Sequence, residues 1–268
     1  MRKLAIFCVA MIICACAPVT DSVVEINPTN PSNPTESVDA TDMTVPTYAS
    51  SQIREDLQTL AGMIVCVDAG HGIAEKNKRE RVAPNSEETK AAFLGGTSGS
   101  TYTEEELNLI VAQKMEKKLC ELGAVVHMAR TDHTTDMGNI DRAEFAYEHN
   151  SDLWIRIHAD GSENRDARGI SVLIPSNACV EEGVRAASAR AAKNVLDALI
   201  AQTRAKNRGL IKRDDLVGFN WTKVPVILIE MGFMSNAEED ELLSRGDYQE
   251  KIVQGVADGL EEYWKTKQ

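Results

Sequence analysis

An α/β domain with helices on both faces of its sheet is the fold class this sequence predicts, on two main observations. From about residue 63 to residue 265, short apolar runs alternate with longer segments whose apolar residues recur at helical spacing. Three of the runs, Ile64–Val67, Leu153–Ile157 and Val226–Ile229, carry little polar interruption, as expected of central strands buried on both faces. The elements follow in order. A strand at 63–68 leads into a long polar, glycine-containing segment, 73–103. A helix over 104–122 places Leu107, Ile110, Val111, Met115, Leu119 and Leu122 on one side. Strand 124–129, helix 138–149, strand 152–158, strand 169–174 and an Ala-rich helix over 180–203 come next. Asn207-Arg208-Gly209 and Phe219-Asn220-Trp221 read as loop, followed by strand 226–230 and a last helix over 247–265. One domain accommodates them all.

Composition narrows the partners. The chain has 268 residues and a formal net charge of −12, with no basic patch interleaved with aromatics, so no nucleic-acid partner is expected. Met1-Arg2-Lys3 followed by the apolar run Leu4–Ile13 reads as an export leader, too short to span a bilayer. Ile13-Cys14-Ala15-Cys16 resembles the bacterial lipobox, with cleavage before a lipidated Cys16; the plainer alternative is a secretory signal with incidental cysteines. The expected layout is a lipoprotein-type signal peptide over 1–15, lipidated Cys16 and a Pro/Asn/Thr tether over 16–50, and a folded domain over 51–268. The protein is then exported and held at the bacterial envelope by a lipid on Cys16. Cys66, Cys120 and Cys179 remain in the folded part, which excludes a dense disulfide framework.

The chemistry-bearing residues fall at strand ends. His71 follows strand 63–68 between two glycines, His158 ends strand 152–158, and Glu230 ends strand 226–230. If those strands are neighbours, two imidazoles and a carboxylate meet in one cleft, which is the raw material of a zinc hydrolase. A carboxylate at the end of a central strand is desolvated, which raises its pKa toward the range of a general base. Glu104, Glu105 and Glu106 open the helix after Thr103, and read on their own they are helix-capping acids as readily as ligands. Arg156, inside a buried strand, needs a partner or a polar cleft. His127, His133 and His149 lie in ordinary contexts.

Taken together, Asp68–Gly72, Glu104-x-x-x-Asn108-Leu109, Ile155–Asp160 and Val224–Asn236 resemble the zinc-dependent N-acetylmuramoyl-L-alanine amidases of the amidase-3 type, in the family's order and over residues 63–265. The resemblance implies a mixed, largely six-stranded sheet flanked by helices. It implies cleavage of the amide joining the lactyl group of N-acetylmuramic acid to the L-alanine of peptidoglycan. It also implies Zn²⁺ held by His71, Glu104 and His158, with Glu230 as the catalytic acid/base; Glu104 is chosen over its neighbours by its four-residue offset to Asn108. Arg156 and Asn220 are candidate substrate contacts. Two other functions use the same residues: a zinc hydrolase of another amide, and a catalytically silent wall-binding lipoprotein. The stretch between His71 and Glu104 is longer than in compact members, and Gly95–Ser100 within it is expected to border the cleft as a mobile loop. No activating protein is named by the sequence.

Overall fold

The computed structural model describes residues 58–73 and 78–267. The expected leader (1–15) and tether (16–50) lie outside the described residues. Six strands form one sheet: β1 (Ile64–Ala69), β4 (Val125–Met128), β5 (Leu153–Asp160), β6 (Ile170–Pro175), β7 (Asn207–Arg213) and β8 (Val226–Phe233). Their order is β4-β1-β5-β8-β6-β7. The first four run parallel, β6 is antiparallel to β8, and β7 is parallel to β6. The sheet is therefore mixed and six-stranded. The three apolar runs of the sequence, β1, β5 and β8, are adjacent at its centre.

Among the described residues six helices accompany the sheet: α1 (Glu104–Glu121), α2 (Asn139–Glu148), α3 (Glu182–Thr203), α4 (Val217–Trp221), α5 (Ala237–Ser244) and α6 (Gly246–Lys265). Alternate strand residues serve opposite faces. Val65, Val67, Ile155, Ile157, Ile227 and Ile229 join α1, α3 and α6 in the larger core. Cys66, Trp154, Val226, Leu228 and Leu173 join Ala143 and Ala146 of α2 and Phe219 of α4 in a smaller one.

Two expected loops turn out to hold structure. The 207–213 stretch is strand β7, an edge strand whose residues are mostly exposed, so it lacks the apolar alternation that signals a strand. In the 73–103 segment, β2 (Arg79–Arg81) and β3 (Thr89–Ala91) pair as an antiparallel hairpin. Its polar sequence is held by side chains rather than by a core. Buried Glu80 accepts the N–H of Ile140 (2.9 Å) at the start of α2, while Asn220 donates to Val82 O (3.0 Å) and Trp221 to Arg81 O (3.0 Å). Asn220 is thus a buried structural fastener, its amide nitrogen donating to the Val82 and Asp214 carbonyls, rather than a substrate contact. Strand β8 also runs three residues past its expected end, so Glu230 lies within the strand.

Candidate active site

The register of β5 against β8 pairs His158 with Glu230, and a bulge just beyond, between His158 and Asp160, re-aims the strand end. Both residues share a sheet face with Asp68 and Arg156, which are themselves register partners across β1 and β5. Along that face the side chains change in layers: Cys66, Trp154 and Val226, then Asp68 and Arg156, then His158 and Glu230.

His71 arrives from the turn after β1. Its backbone is left-handed (φ 60°), uncommon for a residue with a side chain. A set of donors holds that turn. Arg130 and Arg142 both donate to Ala69 O (2.9 Å each); Arg130 and Asn108 donate to Gly70 O (3.0 and 3.3 Å); Arg142 donates to His71 O (2.6 Å). Three consecutive carbonyls are therefore capped. Below them Asp68, fully buried, accepts from Arg142 and from Arg156 Nε (3.0 Å). Burial pushes the Asp68 carboxyl up, but the two guanidiniums outweigh it and hold it below the usual range. Arg156 so finds the partner its buried position demands. Gly70 is obligatory for close approach, because any Cβ there would overlap the His158 ring.

Glu104, the first residue of α1, reaches over the strand ends. Its Oε1 lies 3.0 Å from His71 Nε2 and 3.0 Å from His158 Nδ1. The Ala159 N–H also donates to Oε1 (3.2 Å), and the Thr97 N–H donates to Oε2 (2.9 Å). The two imidazole rings meet edge-on, with centroids 4.9 Å apart. His71 Nδ1 is 2.8 Å from Leu94 O, an arrangement that makes Nδ1 the donor and leaves Nε2 toward Glu104. Glu106, two residues on, accepts the Thr103 N–H (2.9 Å) and caps the helix. One acid of the three faces the histidines and another is the cap.

Electrostatics follow from this packing. Burial pushes Glu104 up, and its hydrogen bonds with both histidines more than reverse it, holding the carboxylate ionised. Burial lowers the His158 pKa and keeps the ring neutral. His71 is raised, because its contact with Glu104 outweighs its own burial. Glu230 is pushed well above the ordinary carboxylate range, mainly by burial, with Asp160 and Glu104 adding in the same sense. Among the described residues, His158 Nε2 and Glu230 Oε2 are buried atoms without a hydrogen-bond partner. His71, Glu104, His158 and Glu230 line one cleft of about 650 Å³. Gly95, Gly96, Thr97 and Ser98 border it, as expected of that loop. The loop is tied down as well: a Cβ on Gly96 would stand 2.6 Å from Glu104, and Ser100 donates its N–H to Asp240 (2.7 Å).

The sequence profile of the amidase-3 family, N-acetylmuramoyl-L-alanine amidase, matches residues 65–262. The chain belongs to this family. Membership makes it a hydrolase of the bacterial cell wall, acting on an amide of peptidoglycan. Among relatives, the amidase LytC of Bacillus subtilis is 24% identical over 222 residues, 82% of this chain and 39% of LytC. The probable cell wall amidase LytH of Staphylococcus aureus is 26% identical over 211 residues, 77% of this chain and 60% of LytH. The chain thus spans less than two thirds of either. The crystal structure of the amidase Ami1 from Mycobacterium smegmatis superposes with a TM-score of 0.70 at 26% identity, covering 77% of this chain and 98% of Ami1.

Four expected site residues, His71, Glu104, His158 and Glu230, come together in the cleft. His127 and His149 meet at a tilt of 47° with centroids 4.3 Å apart, outside it. Arg130 and Arg142 were not legible as part of the site, since one follows a strand end and the other sits in an amphipathic helix where an arginine ordinarily faces water. The donor set suits a metal ion: two imidazoles and a carboxylate whose ligand atoms all lie within 4.8 Å of one another.

Proposed function

We propose that this protein cleaves the bond between N-acetylmuramic acid and L-alanine in peptidoglycan as a Zn²⁺ enzyme, with His71, Glu104 and His158 as ligands and Glu230 as general acid/base. The observation that carries the reading is the cross-strand pairing of a neutral histidine with a desolvated glutamate, beside a second histidine and an ionised glutamate. The donor chemistry fits zinc: His158 is neutral, as a ligand must be, and keeps a buried ring nitrogen without a partner. His71 has its other nitrogen committed to a carbonyl, the usual outer support of a metal-bound histidine. When bound, zinc supplies Lewis acidity that lowers the pKa of water toward about 7 and polarises a carbonyl.

The chain's own residues do the rest. Glu230 accepts a proton from the attacking water as oxygen adds to the amide carbon. It then passes that proton to the departing alanine nitrogen, whose bond to carbon breaks. A carboxylate with a raised pKa is suited to both halves. The backbone clamp on Ala69, Gly70 and His71 keeps the cleft pre-shaped, so little reorganisation accompanies the reaction.

The lipid anchor belongs to the same reading: Cys16 carries the acyl chain, and the tether lets the domain work on wall material close to its own membrane. Intact-mass analysis of the membrane-extracted protein tests this; an unmodified mature terminus elsewhere makes the leader an ordinary secretion signal. Mass spectrometry of muropeptides after digestion tests the chemistry. The expected products are free stem peptides beginning with L-alanine and intact glycan, lost on adding a chelator and restored by Zn²⁺. New termini at another amide establish the broader zinc hydrolase instead, and no products with zinc bound establishes a silent wall-binding protein.

A further inference from the structure

His71 and His158 line two cavities whose walls differ in charged side chains. The cleft holding Glu230 is also lined by Glu104, Asp160 and Glu163, against the single cation Arg165. Both histidines also line a second cavity of about 310 Å³, with Lys90, Arg142, Arg156, Arg213 and Asp215 in its wall; Arg142 and Arg156 are paired with buried Asp68, which leaves Lys90 and Arg213 as the cations at the rim. In a chain of net charge −12, that concentration of cations beside the reacting centre is unusual. Its upper pair comes from elements that sequence patterning read as loop. Lys90 is on β3 of the hairpin and donates to Asp215 O (3.1 Å). Arg213 ends β7 and grips the Asp215 carboxylate with two bonds (2.7 and 2.9 Å). Both cations are part-exposed, at 40% and 37%, so a solute reaches them. Phe93, Leu216 and Leu228 give the cavity apolar walls.

We propose that this cavity is a subsite for a carboxylate on the peptide side of the scissile amide, with Lys90 and Arg213 as the recognition pair. The inference rests on the amidase reading above. The substrate's peptide arm is a short chain of small apolar and acidic residues; apolar walls with cations at the rim match it. Charge therefore orients the substrate across the histidines, placing the peptide arm toward the hairpin. Asp215 neutralises part of the pair and sets its strength. The hairpin then acts as a specificity element, distinguishing stem peptides whose acidic residue is free from those in which it is amidated.

The test uses two synthetic muramoyl-L-alanyl peptides that differ only in a free carboxylate or a carboxamide on the residue after L-alanine. With the zinc-loaded protein, the free acid is expected to be preferred by about tenfold in kcat/KM, the worth of one charge-assisted hydrogen bond at a partly exposed site. That preference should shrink with added salt. In the Lys90→Ala/Arg213→Gln double variant the ratio should fall to within about twofold of one, with bound zinc unchanged by metal analysis. Asp215→Asn, which removes the negative charge beside both cations, should move the ratio the other way. Equal rates on both substrates in the wild type, or a preference that survives the double variant, overturn the subsite while leaving the amidase reading intact. Cleavage of neither substrate by zinc-loaded protein overturns both.

Discussion

The two faces of the sheet are built from alternate residues of the same strands, yet they obey different rules. The face under α1, α3 and α6 is apolar throughout, with Val65, Val67, Ile155, Ile157, Ile227 and Ile229 all buried. The face under α2 and α4 begins apolar at Cys66, Trp154 and Val226, then admits a buried aspartate with two arginines, and ends in His158 and Glu230. One face is optimised for burial alone. The other departs from burial stepwise, each layer of charge supporting the next. The places where a strand violates its own pattern therefore mark the chemistry.

The largest effect that tests this contrast is removal of a histidine. His158→Ala or His71→Ala should abolish stoichiometric zinc, measured by metal analysis, and reduce activity to background; retained zinc with normal turnover breaks the ligand assignment. Glu230→Gln keeps the shape but accepts no proton, so kcat should fall by roughly 10²–10⁴ with zinc and Tm unchanged. A near-normal rate removes Glu230 from the chemistry.

The next pair compares the faces directly. Arg142→Ala leaves Asp68 with one partner, costing about 3–5 kcal/mol, or roughly 6–20 °C in Tm. It also frees His71 O, and should weaken zinc binding by about 10–100-fold. Ile155→Ala, on the closed face, should cost a similar 2–5 kcal/mol through its cavity but leave zinc affinity where it was. Equal losses of zinc affinity in both variants would mean that the clamp has no special role.

Acid sensitivity separates the faces more gently. The Asp68 carboxyl is held low in the fold, so its contribution is complete above the unfolded value of about 3.9 and is lost as pH falls through the depressed folded value. In zinc-free protein, Asp68→Asn should flatten the acid limb of stability measured by denaturant unfolding; an unchanged limb assigns acid sensitivity elsewhere. The smallest effect is at the cap. Glu106→Ala should lower Tm only slightly and leave bound zinc unchanged, whereas Glu104→Ala, two residues earlier, should lose the metal.

The central strands and the long helices were legible because burial on two faces or one leaves a periodic trace. His71, His158 and Glu230 were legible because polar residues closing an apolar run are conspicuous. Glu104 was not separable from Glu105 and Glu106 by spacing alone, since any acid suits a helix start; only the resemblance selected it. The hairpin and β7 left no periodic signal, being held by Glu80, Asn220 and Trp221 or lying exposed at the edge. The clamp of Arg130 and Arg142 was invisible for a related reason: its acceptors are backbone carbonyls, which every residue has.

That last point bears on how the molecule can diverge. The outer support of His71 is Leu94 O, and the Leu94 side chain itself is 66% exposed. A carbonyl is supplied by any amino acid, so this support constrains the path of the chain but not its spelling. The side chain at position 94 is thus free to change while the imidazole stays aimed. The aim of the His71 ring is in this respect written in the backbone path, and the exposed side chain above it answers to solvent alone.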